Sequence, residues 1–183
     1  HFSTSSQRKD EMVVAIRREL MLQRDYLGGQ TIETIYFGGG TPSLLTADEL
    51  KSVIDVIYEH YPVSADPEIT LEANPDDLNP QKVKELKETL INRFSIGIQS
   101  FFPEDLIYMN RAHTSREAES SVKRVQDAGF ENITVDLIYG YPLLSNEKWD
   151  SNIRQVIDFA VPHVSAYSMT VEPATALASF IRK

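Results

Sequence analysis

The sequence predicts an α/β fold, a partial, TIM-like (β/α) barrel with parallel strands and outer helices. Short segments rich in β-branched and aromatic residues alternate with amphipathic helical segments, a pattern that gives parallel strands joined by crossovers. The G-x-G-x-x-G loop typical of a doubly wound nucleotide-binding sheet is missing. Polar or glycyl residues follow nearly every strand segment, and a barrel carries its functional residues at these ends.

Several helices are predicted from their first residues. Thr46-Ala47-Asp48-Glu49 and Thr114-Ser115-Arg116-Glu117 are capping boxes, in which a threonine hydroxyl and a glutamate bond the free amides of a helix start. Asn79-Pro80 starts another helix, with proline at its tolerated first position. The first helical pattern runs from Ser6 to Leu27 and stops at Gly28-Gly29.

Five segments have the composition of strands, each bounded by turn residues. No linker interrupts the alternation of strands and helices, so residues 1–183 are expected to form a single domain. The predicted strands are Ile32–Phe37, Glu68–Glu72, Phe94–Gln99, Ile133–Tyr139 and Val164–Ser168.

Composition excludes several classes of protein. The formal net charge of −9 repels phosphate backbones, which argues against nucleic-acid binding. No apolar run approaches the roughly 20 residues of a membrane span. Without cysteine, disulfides and thiolate metal sites are impossible within this chain. The start His1-Phe2-Ser3 has no apolar signal core, so a cytoplasmic location is expected, and both ends are interpreted as cuts in a longer protein.

The glycines Gly38-Gly39-Gly40 and the following Thr41 leave a strand end open to a ligand, because no side chain shields the backbone. A tight turn alone needs fewer glycines. Glu72 ends the next strand, where its carboxylate can accept hydrogen bonds from an amine or a ribose hydroxyl, or can cap the following turn.

Three further polar residues fit a ligand site. Gln99 ends the third strand, in which Gly97 indicates close packing. Arg111 has the planar fork of donors that suits a carboxylate, although most arginines are solvated surface cations. Asp136 interrupts an apolar strand, which is costly unless it is hydrogen-bonded.

His113 is expected in a surface loop. No histidine spacing suits a metal and no nucleophile is set up, so any chemistry requires a cofactor.

Five motifs occur in a fixed order and together resemble one family, the radical S-adenosylmethionine (SAM) proteins of the oxygen-independent coproporphyrinogen III oxidase type. Within this family the motif Glu-Ala-Asn-Pro is more similar to the haem-chaperone branch than to the oxidases. The motifs are Tyr36–Ser43, Leu71–Pro75, Ser95–Phe101, Met109–His113 and Val135–Pro142.

The resemblance implies a partial barrel of the radical SAM type, a 4Fe-4S cluster and bound SAM. In the family, cysteines of a C-x-x-x-C-x-x-C loop hold the cluster, whose reduction cleaves SAM to a 5′-deoxyadenosyl radical. The loop precedes the region matched here, so this chain is expected to be a fragment that lacks it and the family's C-terminal region. The residues that match SAM contacts are Gly39, Gly40, Thr41, Glu72, Gln99, Arg111, Asp136 and, near the last strand, Thr170.

Two functions follow from the resemblance. An oxidase would decarboxylate two propionates of coproporphyrinogen III to vinyl groups, with help from an electron donor. A chaperone would bind haem and pass it to acceptor proteins. A third interpretation, from the residues alone, is a cluster-free barrel that binds a nucleotide or a phosphorylated ligand at the loop Gly38-Gly39-Gly40-Thr41.

Overall fold

The computed structural model describes residues 8–171 and residue 178. Within these residues five strands form one sheet in which every neighbouring pair is parallel. The strands follow one another in chain order, without the reversal of order that defines a doubly wound sheet. This is the sheet of the predicted partial barrel. Its strands are β1 (Ile32–Phe37), β2 (Val63–Ala73), β3 (Arg93–Gln99), β4 (Asn132–Tyr139) and β5 (His163–Ser168).

Helices connect the successive strands, and both predicted capping boxes are present. The side chains of Thr46 and Thr114 each accept a hydrogen bond from the amide three residues later. The glutamate at that later position accepts a hydrogen bond from the threonine amide in return. Asn79 caps its helix ahead of Pro80. The α-helices are α1 (Lys9–Leu22), α2 (Ala47–His60), α3 (Pro80–Lys87), α4 (Pro103–Tyr108), α5 (Ser115–Asp127) and α6 (Asn146–Asp158).

Two element boundaries differ from the prediction by more than one residue. Helix α1 ends at Leu22, because turns such as Tyr26 N–H to Gln23 O replace helical bonds before Gly28; the predicted start at Ser6 lies outside the described residues. Strand β2 begins at Val63, five residues earlier than predicted. Its first half contains Pro67, which cannot donate to the ladder, and the register with β1 shifts there.

The strands have one apolar and one polar face. In β3, Phe94, Ile96 and Ile98 are fully buried, and the ring of Phe94 meets Phe130 edge-on at 4.8 Å. The alternate residues are Ser95, Gly97 and Gln99, which face the other side because side chains alternate along a strand. The apolar face packs the core under the helices, and the polar face is left for a cavity.

We predict that Thr114→Ala lowers the free energy of unfolding by about 1 kcal/mol, because the capping oxygen of α5 is lost. Chemical denaturation measures the change. Thr114→Ser keeps the hydroxyl and should lie close to the wild type. Equal losses for both variants would contradict the capping role.

Candidate functional site

A cavity of about 330 Å³ opens at the carboxyl ends of the strands. Seven of the eight predicted site residues line it. The eighth, Thr170, lies two residues beyond β5, is exposed, and is not among the described residues that line the cavity. The seven are Gly39, Gly40, Thr41, Glu72, Gln99, Arg111 and Asp136.

Glu72 ties the glycine-rich loop to β2. One carboxylate oxygen accepts the Gly39 N–H at 3.1 Å, and the other accepts the Tyr36 hydroxyl at 2.9 Å. Burial, then the bond to Glu72, raises the pKa of Tyr36 to about 12, so Tyr36 remains a donor at neutral pH. At Gly38 a Cβ would lie 2.6 Å from the Tyr36 ring, and Gly39 has φ +99°. The loop therefore needs glycine at both positions.

Arg111 is a half-buried cation with one unused donor. Its Nη2 donates to Asn74 Oδ1 at 2.8 Å, with a longer contact of 3.4 Å to the Gly97 carbonyl. Its Nε is buried and has no hydrogen-bond partner among the described residues. Burial lowers the pKa of Arg111, but a guanidinium stays charged in proteins. A guanidinium with an unused donor is suited to an anionic ligand.

Gly97 makes room for this arrangement. A Cβ on Gly97 would lie 2.9 Å from Gln99 Nε2 and 3.4 Å from Arg111 Nη2. The absence of a side chain there lets both groups lie against the strand. The sequence interpretation of Gly97 as a mark of close packing is thus confirmed.

Asp136 is oriented by β3. The Ser95 hydroxyl lies 3.0 Å from both of its carboxylate oxygens. Burial, with the nearby charge of Glu72, raises the pKa of Asp136, whereas the bond from Ser95 acts in the opposite direction. Glu72 lies opposite Ser95 in the register of β2 and β3, so β3 lies between the strands that carry Glu72 and Asp136.

The charges that line the cavity are two acids, Glu72 and Asp136, and one base, Arg111. Such a site suits a ligand with a carboxylate for Arg111 and cationic groups for the acids. It disfavours a phosphorylated ligand, because Glu72 already occupies the Gly39 amide that a phosphate would need.

Sequence reasoning missed three groups of this site. Tyr36 holds Glu72, Asn74 holds Arg111 and Ser95 holds Asp136. The alternation of β3 could have identified Ser95, because it shares a face with Gly97 and Gln99. Nothing local in the sequence distinguishes Asn74 from a turn cap.

The expectation for His113 is wrong. Its side chain is buried, with Nε2 3.1 Å from the Ile98 carbonyl. The chain folds back after α4, where Arg111 N–H bonds to Leu106 O, and this brings His113 under β3. Burial lowers the pKa of His113, which favours the neutral ring beside Arg111.

Other features of the described residues differ in chemistry from this site. A larger cavity of about 630 Å³ lies between α1, β1 and α2, but its lining is mostly apolar. No cluster of three or more metal-ligating side chains occurs in the described part of the chain. Across residues 8–171, no helix combines the length and the apolar character needed to cross a membrane.

Comparison with known families identifies the superfamily to which this fold belongs. The model of the radical SAM superfamily matches residues 2–156, so the chain belongs to that superfamily. Its fold is similar to that of coproporphyrinogen III oxidase HemN from Escherichia coli, with a TM-score of 0.82 and 23% identity over 97% of this chain and 41% of that one. The predicted half-barrel of the radical SAM type is confirmed.

Curated relatives are similar over nearly the whole chain. The haem chaperone HemW of Bacillus subtilis is 36% identical over 179 residues, 97% of this chain and 47% of the relative. HemW of Escherichia coli is 35% identical over 170 residues, 93% of this chain and 45% of the relative. The chain thus spans less than half the length of these relatives.

The superfamily implies two cofactors, and the chain's residues fit one of them. The unused Arg111 Nε–H and the two acids suit SAM, which carries a carboxylate, an ammonium and a sulfonium. A 4Fe-4S cluster is held by thiolates, and the 183 residues contain no cysteine. These residues therefore do not fit the cluster.

We predict that Asp136→Asn makes the ligand-free protein more stable at neutral pH. Because folding raises the pKa of Asp136, its stabilising contribution is complete below the ordinary value of 3.8 and is lost as the pH rises through the raised value. The variant has no such loss, so its advantage in melting temperature should grow upward from about pH 4. An advantage that does not change between pH 4 and pH 7 would contradict this.

Proposed function

We propose that this chain is the SAM-binding core of a haem chaperone, a protein that binds haem and passes it to acceptor proteins. Eight curated relatives named as haem chaperones, at 32–40% identity, support the chaperone over the oxidase. The observation that carries SAM binding is the buried Arg111 Nε–H, which has no partner among the described residues.

The groups of SAM match the groups of the cavity. Its carboxylate pairs with Arg111, whose planar fork has the Nε–H still to use. Its ammonium lies at the loop with Glu72, where the carboxylate already accepts the Gly39 N–H. Its ribose hydroxyls bond to Asp136 and Gln99. Gly40 and Thr41 border the ligand.

The assignment as a haem chaperone also implies an iron–sulfur cluster and a cellular location. A 4Fe-4S cluster would need cysteines outside these 183 residues to hold it and a separate donor to supply an electron. Such a cluster needs reducing conditions, which supports a location in the cytoplasm. Porphyrinogen oxidation is the competing function, and a direct assay separates the two.

We predict that Arg111→Gln weakens SAM binding by about 10–100-fold, the loss expected for a hydrogen bond to a charged group. Isothermal titration of the full chain measures the affinity. Arg116→Gln removes one positive charge from the exposed start of α5 and serves as the matched control. Equal affinity in both variants would show that Arg111 does not hold the carboxylate.

The chaperone assignment is tested with the protein at its full natural length, loaded anaerobically with iron and sulfide. We expect it to bind haem and to transfer haem to an acceptor apoprotein, as followed by absorption spectroscopy. With coproporphyrinogen III and an electron donor we expect no protoporphyrinogen IX. Product formation would assign the oxidase function instead.

A further inference from the structure

The turn after β3 has a strained residue beside the cavity. Gln99 has φ +68°, which lies in the left-handed region that residues other than glycine and asparagine seldom adopt. Its Nε2 occupies the space in front of Gly97, next to Arg111. Something must hold the turn Gln99–Phe102 in this conformation.

The fully buried carboxylate of Asp105 lies directly beneath that turn. Its Oδ2 accepts the hydroxyl of Ser100 at 2.8 Å and that of Tyr141 at 2.7 Å. Its Oδ1 accepts Lys148 Nζ at 2.8 Å. Three donors from three different segments thus meet on one carboxylate.

Helix α6 completes the hold on the turn. The Phe101 N–H donates to Asn152 Oδ1 at 2.9 Å, and Asn152 Nδ2 lies 3.3 Å from Ser100 Oγ. The Phe102 N–H also donates to Ser100 Oγ, at 3.2 Å. The backbone amides of Phe101 and Phe102 are therefore satisfied by side chains, one from α6 and one from the turn itself.

Lys148 neutralises the buried charge from the protein surface. Its Nζ lies between Asp105 and Glu104, 2.7 Å from the latter, and 5.2 Å from the centre of the Phe102 ring. Burial, then the bond to Asp105, raises the pKa of Tyr141, so the phenol keeps its proton and donates. A buried carboxylate is tolerated when it is paired and hydrogen-bonded in this way.

We propose that Asp105 is a positioning residue for the SAM cavity: through Ser100, it holds Gln99 in its left-handed conformation so that the amide and Arg111 face the ligand together. This inference rests on the proposed function. Asp105, Tyr141 and Lys148 are not among the described residues that line the cavity, so they act on the ligand only through the turn.

The first experiment uses Asp105→Asn in the full chain, with Tyr141→Phe as a milder variant that keeps the carboxylate. We expect SAM affinity to fall by about tenfold for Asp105→Asn and by less for Tyr141→Phe. Glu104→Gln is the matched control, since Glu104 pairs with Lys148 from the exposed side. Folded variants that bind SAM as tightly as the wild type would overturn the proposal.

Hydrogen–deuterium exchange of residues 98–102 tests the positioning without SAM. Exchange in this segment should be faster in Asp105→Asn than in the wild type and unchanged in Glu104→Gln. If the wild type fails to bind SAM, the proposed function is wrong, and the exchange rates of residues 98–102 then test by themselves whether Asp105 positions the turn. Exchange as slow in Asp105→Asn as in the wild type would overturn it.

A second background separates positioning from simple support of the core. Gln99→Gly removes the side-chain penalty at φ +68°, so Asp105→Asn should accelerate exchange less in this background than in the wild type. An equal acceleration in both backgrounds would mean that Asp105 only supports packing, and would overturn the proposal.

Discussion

The alternation of side chains along β2, β3 and β4 is the constraint on which the rest of the structure depends. Every second residue of these strands is apolar and packs beneath the helices, as Phe94, Ile96 and Ile98 do. The residues between them lie on the polar face that lines the cavity, and they include Glu72, Ser95 and Asp136. A one-residue shift of register would bury these acids and expose the core, so one pattern fixes both stability and site.

The site consists of pairs in which a second residue holds each functional group. Tyr36 and the loop amide fix Glu72, Ser95 fixes Asp136, and Asn74 fixes Arg111. Such preorganisation reduces the entropy that a ligand must overcome when it binds. Of the three charged groups in the cavity, Arg111 keeps a buried donor, Nε–H, that has no partner among the described residues.

The sequence predicts most of the fold and the positions of the polar residues, because both follow from local signals. Capping boxes, strand composition and strand ends are local, and six of the residues predicted at those ends line one cavity together with Arg111. The burial of His113 and the partners of Asp105 depend on segments more than ten residues apart, such as Tyr141 and Lys148. No local pattern marks those contacts. The extension of β2 across Pro67 depends likewise on pairing with β1, whereas α1 stops at Leu22 because local turns follow it.

The most direct measurement is the ¹⁵N NMR signal of the Arg111 Nε–H during a titration with SAM. If the carboxylate of SAM pairs with this donor, the Nε–H resonance moves downfield and its exchange with water slows as the site fills. A bound SAM that leaves this resonance unchanged would contradict the account of the cavity, because the unused donor of Arg111 would then serve another ligand.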